Sequence, residues 1–255
     1  MRKEWDAATY DRVSDPHVRW GVSVIDRLTL AGDETVLDCG CGTGRVTELL
    51  LDRLPAGRVL ALDASRAMLD EARRRLAGAG DRVVFVEADL LELAPSALAP
   101  HAPVDAILST ATFHWVTDHD RLFRNLSGVL RPGDQLVAQC GGEGNIERLM
   151  AAVRTLGVER AGTWLYASAD ATRERLEAAG FVDVEAWLQP EPTPFEPGEP
   201  LVAFLEAVCL REHVATLAPE SRRPFVEAVA AAMPEPVIDY VRLNLVAWRG
   251  SAPEL

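Results

Sequence analysis

The chain has 255 residues, 48% apolar and 25% charged, a balance that suits one large domain or a domain with a subdomain and excludes a disordered or fibrous chain. Its 26 basic against 39 acidic residues give a net charge of −13, which repels a phosphate backbone and sets nucleic acid aside as a partner. No run of 18 apolar residues and no apolar leader follow Met1, and Cys39, Cys41, Cys140 and Cys209 lack CxxC spacing, so a cytoplasmic protein with reduced thiols, no membrane partner and no metal is expected.

Pro16 to Leu30 reads as one helix, with Asp15 as N-cap, Pro16 first, and Val18, Val22, Ile25 and Leu28 on its apolar face. Residues 1–33 are expected to form an N-terminal lid and this helix. From residue 34 short β-rich runs alternate with helical stretches. They are Thr35–Leu37, helix 46–54, Arg58–Leu62, helix 67–76, Arg82–Val86, Val104–Leu108, helix 120–130 and Gln135–Gln139. Such alternation implies βαβ crossovers and a doubly wound, mostly parallel α/β sheet.

Helices follow near 146–156 and 171–179, then a strand at 182–188 that closes a core of residues 34–188. Asn145, after Cys140-Gly141-Gly142-Glu143-Gly144, is placed to cap the first of these helices, and the glycines to let backbone approach a substrate. The five prolines between Gln189 and Pro200 read as an exposed linker, since proline cannot continue a helix or central strand. Helices at 201–213 and 222–233 complete a cap over 189–236, and 237–255 brings back a final strand, so the cap is inserted before the last strand. Residues 141–255 carry 10 bases against 18 acids, making this side the more anionic.

The chemistry-bearing motif is Asp38-Cys39-Gly40-Cys41-Gly42-Thr43-Gly44, where a predicted strand meets a helix. Glycines at alternate positions let the backbone turn tightly and approach a nucleotide-like ligand at the C-terminal edge of the sheet. Arg45 stands where a GxGxxG dinucleotide loop has its third glycine, which argues against a pyrophosphate. Asp63 ends the second strand, where a carboxylate can accept from both hydroxyls of a ribose. Asp89 ends the third, where it can accept from an adenine amine with Leu90 on the ring face.

These residues resemble motifs I, II and III of the class I S-adenosylmethionine-dependent methyltransferases, and Leu130–Asp134 is similar to their turn before strand five. Trp5-Asp6, Tyr10, Phe113-His114-Trp115-Val116, the segment 204–213 and Asp239-Tyr240-Val241-Arg242-Leu243 look like the trans-aconitate methyltransferase group. The resemblance implies a seven-stranded Rossmann-like sheet and S-adenosylmethionine as cofactor. Asp38, Gly40, Cys41, Gly42 and Gly44 would surround its methionine portion and sulfonium, and Asp63 and Ala64 its ribose. Met68, Ala88, Asp89 and Leu90 would take the adenine, with Ser109 nearby and Tyr10 and Arg19 reaching in from the lid.

His114 and Trp115 sit at the strand end facing the transferable methyl, where His114 is a candidate base or a pocket wall. Trp164, Tyr166 and Arg211 are the candidate substrate contacts on the cap side, Arg211 as the cation for an acidic acceptor. The implied reaction is methyl transfer to a small molecule, first an O-methylation of a metabolite such as a carboxylate. A C- or N-methyltransferase stands behind it, then an NAD-dependent oxidoreductase and a non-catalytic cofactor-binding protein.

Overall fold

The structure, a computed structural model, describes residues 15–158 and 162–251. Tyr10 and the expected lid lie outside the described residues, and so does the side chain of Arg19. In chain order the elements are α1 (Asp15–Ile25), β1 (Thr35–Cys39), α2 (Arg45–Asp52), β2 (Arg58–Asp63), α3 (Arg66–Arg75) and β3 (Val83–Glu87). Then come β4 (Val104–Thr110), α4 (His119–Val129), β5 (Leu130–Gly141), α5 (Glu147–Thr155), α6 (Ala169–Ala178) and β6 (Phe181–Pro194). The cap is α7 (Glu199–Phe204), a π turn over Leu205–Cys209, α8 (Arg211–Ala215) and α9 (Pro219–Ala232), and β7 (Val237–Arg249) re-enters the sheet.

The strands lie in the order β3-β2-β1-β4-β5-β7-β6. β1 to β5 pair in parallel, and β7 runs antiparallel to β5 and to β6. Side chains alternate between the faces, as the period of two requires. Val36, Val59 and Leu108 pack with Val24 of α1, Leu50 of α2 and Leu69 of α3. Leu37, Leu60 and Ile107 pack with Phe123 and Leu126 of α4 and Leu176 of α6. A third apolar cluster joins α5 to the cap through Leu149, Phe204, Leu205 and Val229.

Several expectations need correction. α1 ends at Ile25, and Val22 is 40% exposed while Trp20, Val24, Ile25 and Leu28 are buried, so the inward face is rotated from the one the spacing suggested. Residues 201–213 are not one helix but two short helices joined by the π turn. Leu130–Asp134 belongs to β5 itself, at a register shift between Val104 and Ala106, with Gly133 at φ 86.

The largest correction concerns the prolines. Gln189 to Pro194 is no linker but the second half of β6, paired with β7 through Pro190↔Val241, Pro192↔Asp239 and Pro194↔Val237. Val241 N–H donates to Asn145 Oδ1 and Val241 O accepts from Gly142 N–H, so that residue spends its backbone groups away from β6. Asp239 O likewise accepts from Ile146 N–H. The prolines therefore stand at positions where no N–H is asked of β6, and their ring nitrogens face the open edge of the sheet. Pro192→Thr should change stability by no more than about 0.5 kcal/mol in urea unfolding. Glu191→Pro, one residue out of this phase, should cost on the order of 1–3 kcal/mol through a lost ladder bond.

Candidate active site

The loop after β1 is pinned to the end of β2. Gly40 N–H and Cys41 N–H both donate to Leu62 O, at 2.7 and 2.9 Å. Gly40 has φ 76, and a Cβ there would lie 2.2 Å from Thr112 Oγ1, so only glycine fits between this loop and the one after β4. Gly42 has φ 55 and nothing within 4 Å of the place a Cβ would occupy. Its N–H donates to Asp63 Oδ2 at 2.9 Å, while Ser65 N–H donates to Asp63 Oδ1 at 2.8 Å. Asp89 Oδ1 accepts from Leu91 N–H at 2.9 Å and caps the short turn after β3.

These strand ends enclose a cavity of about 380 Å³. Of the residues singled out in the sequence, Gly40, Gly42, Asp63, Ala64, Met68, Ala88, Asp89, Leu90 and Trp115 line it. Ser65, Thr110, Ala111, Thr112 and Thr163 line it as well, and sequence reasoning missed them. Met68 and Leu90, 4% and 5% exposed, form apolar walls, and the half-buried Asp63 and Asp89 complete the lining.

Four expected contacts fall outside that wall. Gly44 faces α3, with Leu76 Cδ1 3.1 Å and Ala72 Cβ 3.2 Å from where its Cβ would be, so its role is helix packing. Ser109 donates to Cys39 O at 2.8 Å, a buried link between β4 and β1. Cys41 is buried, and its thiol and that of Cys39 are pushed well above the usual cysteine range by desolvation and the Asp38 charge. Asp38 is fully buried beneath the loop, where Thr47 Oγ1 donates to its Oδ2 at 2.6 Å and Oδ1 has no hydrogen-bond partner.

A second, smaller cavity of about 50 Å³ shares Ala111 and Trp115 with the first. His114, Trp164, Tyr166, Tyr240 and Arg242 line it. His114 is 8% exposed, with its ring centroid 5.0 Å from that of Trp115 and 5.9 Å from that of Tyr166. Gly141 N–H donates to His114 Nδ1 at 3.3 Å, and Leu165 N–H to His114 O at 2.8 Å. Ala111, where the cavities meet, holds φ 55, uncommon for a residue with a side chain.

The cation on this wall is Arg242, not Arg211. Arg211 lies in α8 beside Glu212, with Nη1 3.6 Å from Oε1, and lines neither cavity. Arg242 is 2% exposed, donates from Nε to Gln139 Oε1 at 3.3 Å and sits 4.4 Å from the centroid of the Trp20 ring. Alternation along β7 was the available signal, because Ile238, Tyr240, Arg242 and Asn244 share one inward phase. Asn145 does not cap α5, since its Oδ1 accepts from Val241 N–H and the N-cap position is Ile146. Gly141 and Gly142 give passage to protein, not substrate: their Cβ positions fall 2.7 Å from Tyr166 Cε1 and 2.5 Å from Leu188 Cδ2.

Burial raises the Asp38 carboxyl to about 7, against the Thr47 hydrogen bond and with help from the Asp63 charge. A raised acid holds its proton in the fold while the unfolded chain releases it near 3.8, so its contribution to stability is full below that value and lost as pH climbs to about 7. The loss is on the order of 4 kcal/mol. Asp38→Asn should remove this component from the pH dependence of urea unfolding of the ligand-free protein; identical wild-type and variant slopes between about pH 4 and 7 would mean an ionised Asp38.

A methyltransferase-domain family profile matches residues 36–133. A trans-aconitate 2-methyltransferase of Methylobacterium nodulans is 37% identical over 72% of this chain and 67% of its own length. That of Methylobacterium radiotolerans is 31% identical over 90% and 89%. Among solved structures, phosphoethanolamine N-methyltransferase 2 of Haemonchus contortus, in complex with S-adenosyl-L-methionine, superposes with a TM-score of 0.63 at 17% identity, over 96% of this chain and 57% of that one, a likeness of fold. The dinucleotide alternative falls with these relatives. The chain belongs to the class I S-adenosylmethionine-dependent methyltransferases, similar to the trans-aconitate 2-methyltransferases among them, and is an enzyme that methylates a small molecule with S-adenosylmethionine as cofactor.

Proposed function

We propose that the protein is an O-methyltransferase that esterifies a carboxylate of a small polycarboxylate, with trans-aconitate the first candidate because relatives carry that name. The observation that carries this reading is Arg242, a guanidinium buried in the wall of the cavity adjoining the larger one. There it offers an entering carboxylate charge-assisted hydrogen bonds in a medium where they are strong. Gln139 orients the guanidinium through Nε, and the Trp20 face supports it. The small volume suits one carboxylate group, so the rest of the acceptor would lie toward Ala111 and Trp115.

The larger cavity fits the cofactor in its donor set. Asp63 accepts backbone N–H bonds from Gly42 and Ser65, and its carboxylate would also accept from the ribose hydroxyls. Asp89 would accept from the adenine amine, with Met68 and Leu90 against the ring faces. Gly42, open where a side chain would stand, would let the methionine portion pass close to the backbone. When bound, the cofactor supplies a sulfonium-activated methyl group. The residues around it then need only align acceptor and methyl and exclude water.

Methyl-labelled cofactor should be offered with mono-, di- and tricarboxylates, phenols and amines. The expected product is an alkali-labile ester of a polycarboxylate; alkali-stable label on carbon or nitrogen would overturn the reading. Arg242→Lys and Arg242→Gln should raise the acceptor KM by about 100-fold or more and leave S-adenosylhomocysteine affinity within about twofold. Asp63→Ala should do the reverse, weakening S-adenosylhomocysteine binding by about 100-fold in calorimetry without loss of the folded circular-dichroism spectrum.

A further inference from the structure

We infer that α4 sets the width of the larger cavity, with His119 and Asn125 as positioning residues that hold the turns on its two flanks. The inference is independent of the acceptor and rests on the reading of the larger cavity as the cofactor's.

The strand order places β2 and β1 between β3 and β4. The turns that follow β3 and β4 therefore stand on either side of the glycine loop and Asp63, and the sheet does not pair one with the other. Asp89, Leu90 and Leu91 line the cavity from the first flank, and Trp115, Val116 and Thr117 from the second.

The join is made by α4. Asn125 Nδ2 donates to Leu90 O at 2.9 Å, and His119 Nε2 lies 3.0 Å from Phe113 O. A carbonyl can only accept, so Nε2 carries the His119 proton in that contact. Burial lowers the His119 imidazole below its usual range, which leaves the ring neutral near pH 7.

The two carbonyls hold the same place in their turns. Each belongs to the first residue of a short 3-10 turn, Leu90–Glu92 in one case and Phe113–Trp115 in the other. Inside those turns Leu90 O accepts from Leu93 N–H at 3.5 Å and Phe113 O from Val116 N–H at 2.9 Å, so Asn125 is the closer donor to Leu90. A turn this short is closed by few and poorly aligned bonds, and its place over the cavity is set by what ties it from outside.

Apolar packing takes the same route. The Phe123 ring of α4 meets that of Phe113 edge-on at 6.0 Å and lies 5.6 Å from that of His119, and Leu90, Phe113, Phe123 and Leu126 share one buried cluster. Asp118 Oδ1 fixes the start of the helix by accepting from Arg121 N–H at 2.9 Å. From His119 to Asn125 the helix rises about 9 Å, a stiff spacer between the two ties. With both flanks hung from one helix the cavity keeps its width, and a bound adenosine would meet walls that need no further ordering.

The test is S-adenosylhomocysteine binding by calorimetry, at a temperature where each variant keeps the folded circular-dichroism spectrum. Asn125→Asp, which matches the side chain in size and replaces the donor by an acceptor, should weaken binding by about fivefold to tenfold. Asn125→Ala reads the same bond if Asn125→Asp does not fold. His119→Asn, too short to reach Phe113 O, should weaken binding as much, whereas His119→Gln, which can place an N–H where Nε2 stands, should stay within about twofold of wild type. Variants that lose stability in urea yet bind within about twofold of wild type would make α4 a structural helix only and overturn the inference, as would equal affinities for His119→Gln and His119→Asn. Asp63→Ala, run beside them, separates the two readings. Weakened binding in Asp63→Ala with the α4 variants unaffected overturns this inference alone; wild-type affinity in Asp63→Ala removes the cofactor reading of the cavity and the inference with it.

Discussion

The hydrogen bond from Gly42 N–H to Asp63 Oδ2 joins two loops that the sheet brings together but does not itself connect. The parallel register sets Cys39 beside Leu62, and the carbonyl of Leu62 then holds both Gly40 and Cys41. With that turn fixed, Gly42 is presented bare to the cavity and Asp63, held by Gly42 and Ser65 N–H, lines it. The fit of Gly40 against Thr112 extends the constraint to the loop after β4, where Ala111, His114 and Trp115 line the smaller cavity. A side chain at Gly40 would part these loops and disturb both cavities.

A polar line runs through the antiparallel half of the sheet. Arg27 Nη1 donates to Asn244 Oδ1 at 2.7 Å, Gln139 Nε2 donates to the same oxygen at 2.8 Å, and Gln139 Oε1 accepts from Arg242 Nε. Gln135 ties the start of this line to the segment after α1 by accepting from Thr29 N–H and donating to Arg27 O. Buried polar groups are costly unless bonded to one another, and when bonded they hold a single arrangement. Here that arrangement holds the Arg242 guanidinium in the wall of a small cavity, in a protein whose net charge is −13. The local cation counters the unfavourable field an anionic acceptor would otherwise meet.

The two cavities divide the chemistry by charge. Acids gather at the ends of β1, β2 and β3, where Asp38 lies beneath the loop and Asp63 and Asp89 line the larger cavity. The smaller cavity has aromatic walls, a histidine and an arginine, and no described carboxylate. A cationic cofactor and an anionic acceptor would each find the opposite sign, and they would meet at Ala111 and Trp115, the residues common to both.

Local pattern alone determined the alternation of strands and helices, the doubly wound core, the glycine turn and the acids that close β2 and β3. Each of these is a short-range feature, written in residues a few positions apart, and the motif residues Gly40, Gly42, Asp63 and Asp89 line one cavity because strand ends in a parallel sheet converge. Tertiary structure decided the rest. The prolines of 190–194 looked like a linker until β7 supplied a partner that asks no N–H of them. Gly44 and Ser109 became packing and strand-linking residues because of α3 and Cys39, which lie far off in the chain. Alternation along β7 puts Arg242 in the inward phase, but says nothing of what lies beside it. That it is buried beside His114 depends on β7 entering between β5 and β6, a pairing across more than 100 residues that no local period encodes.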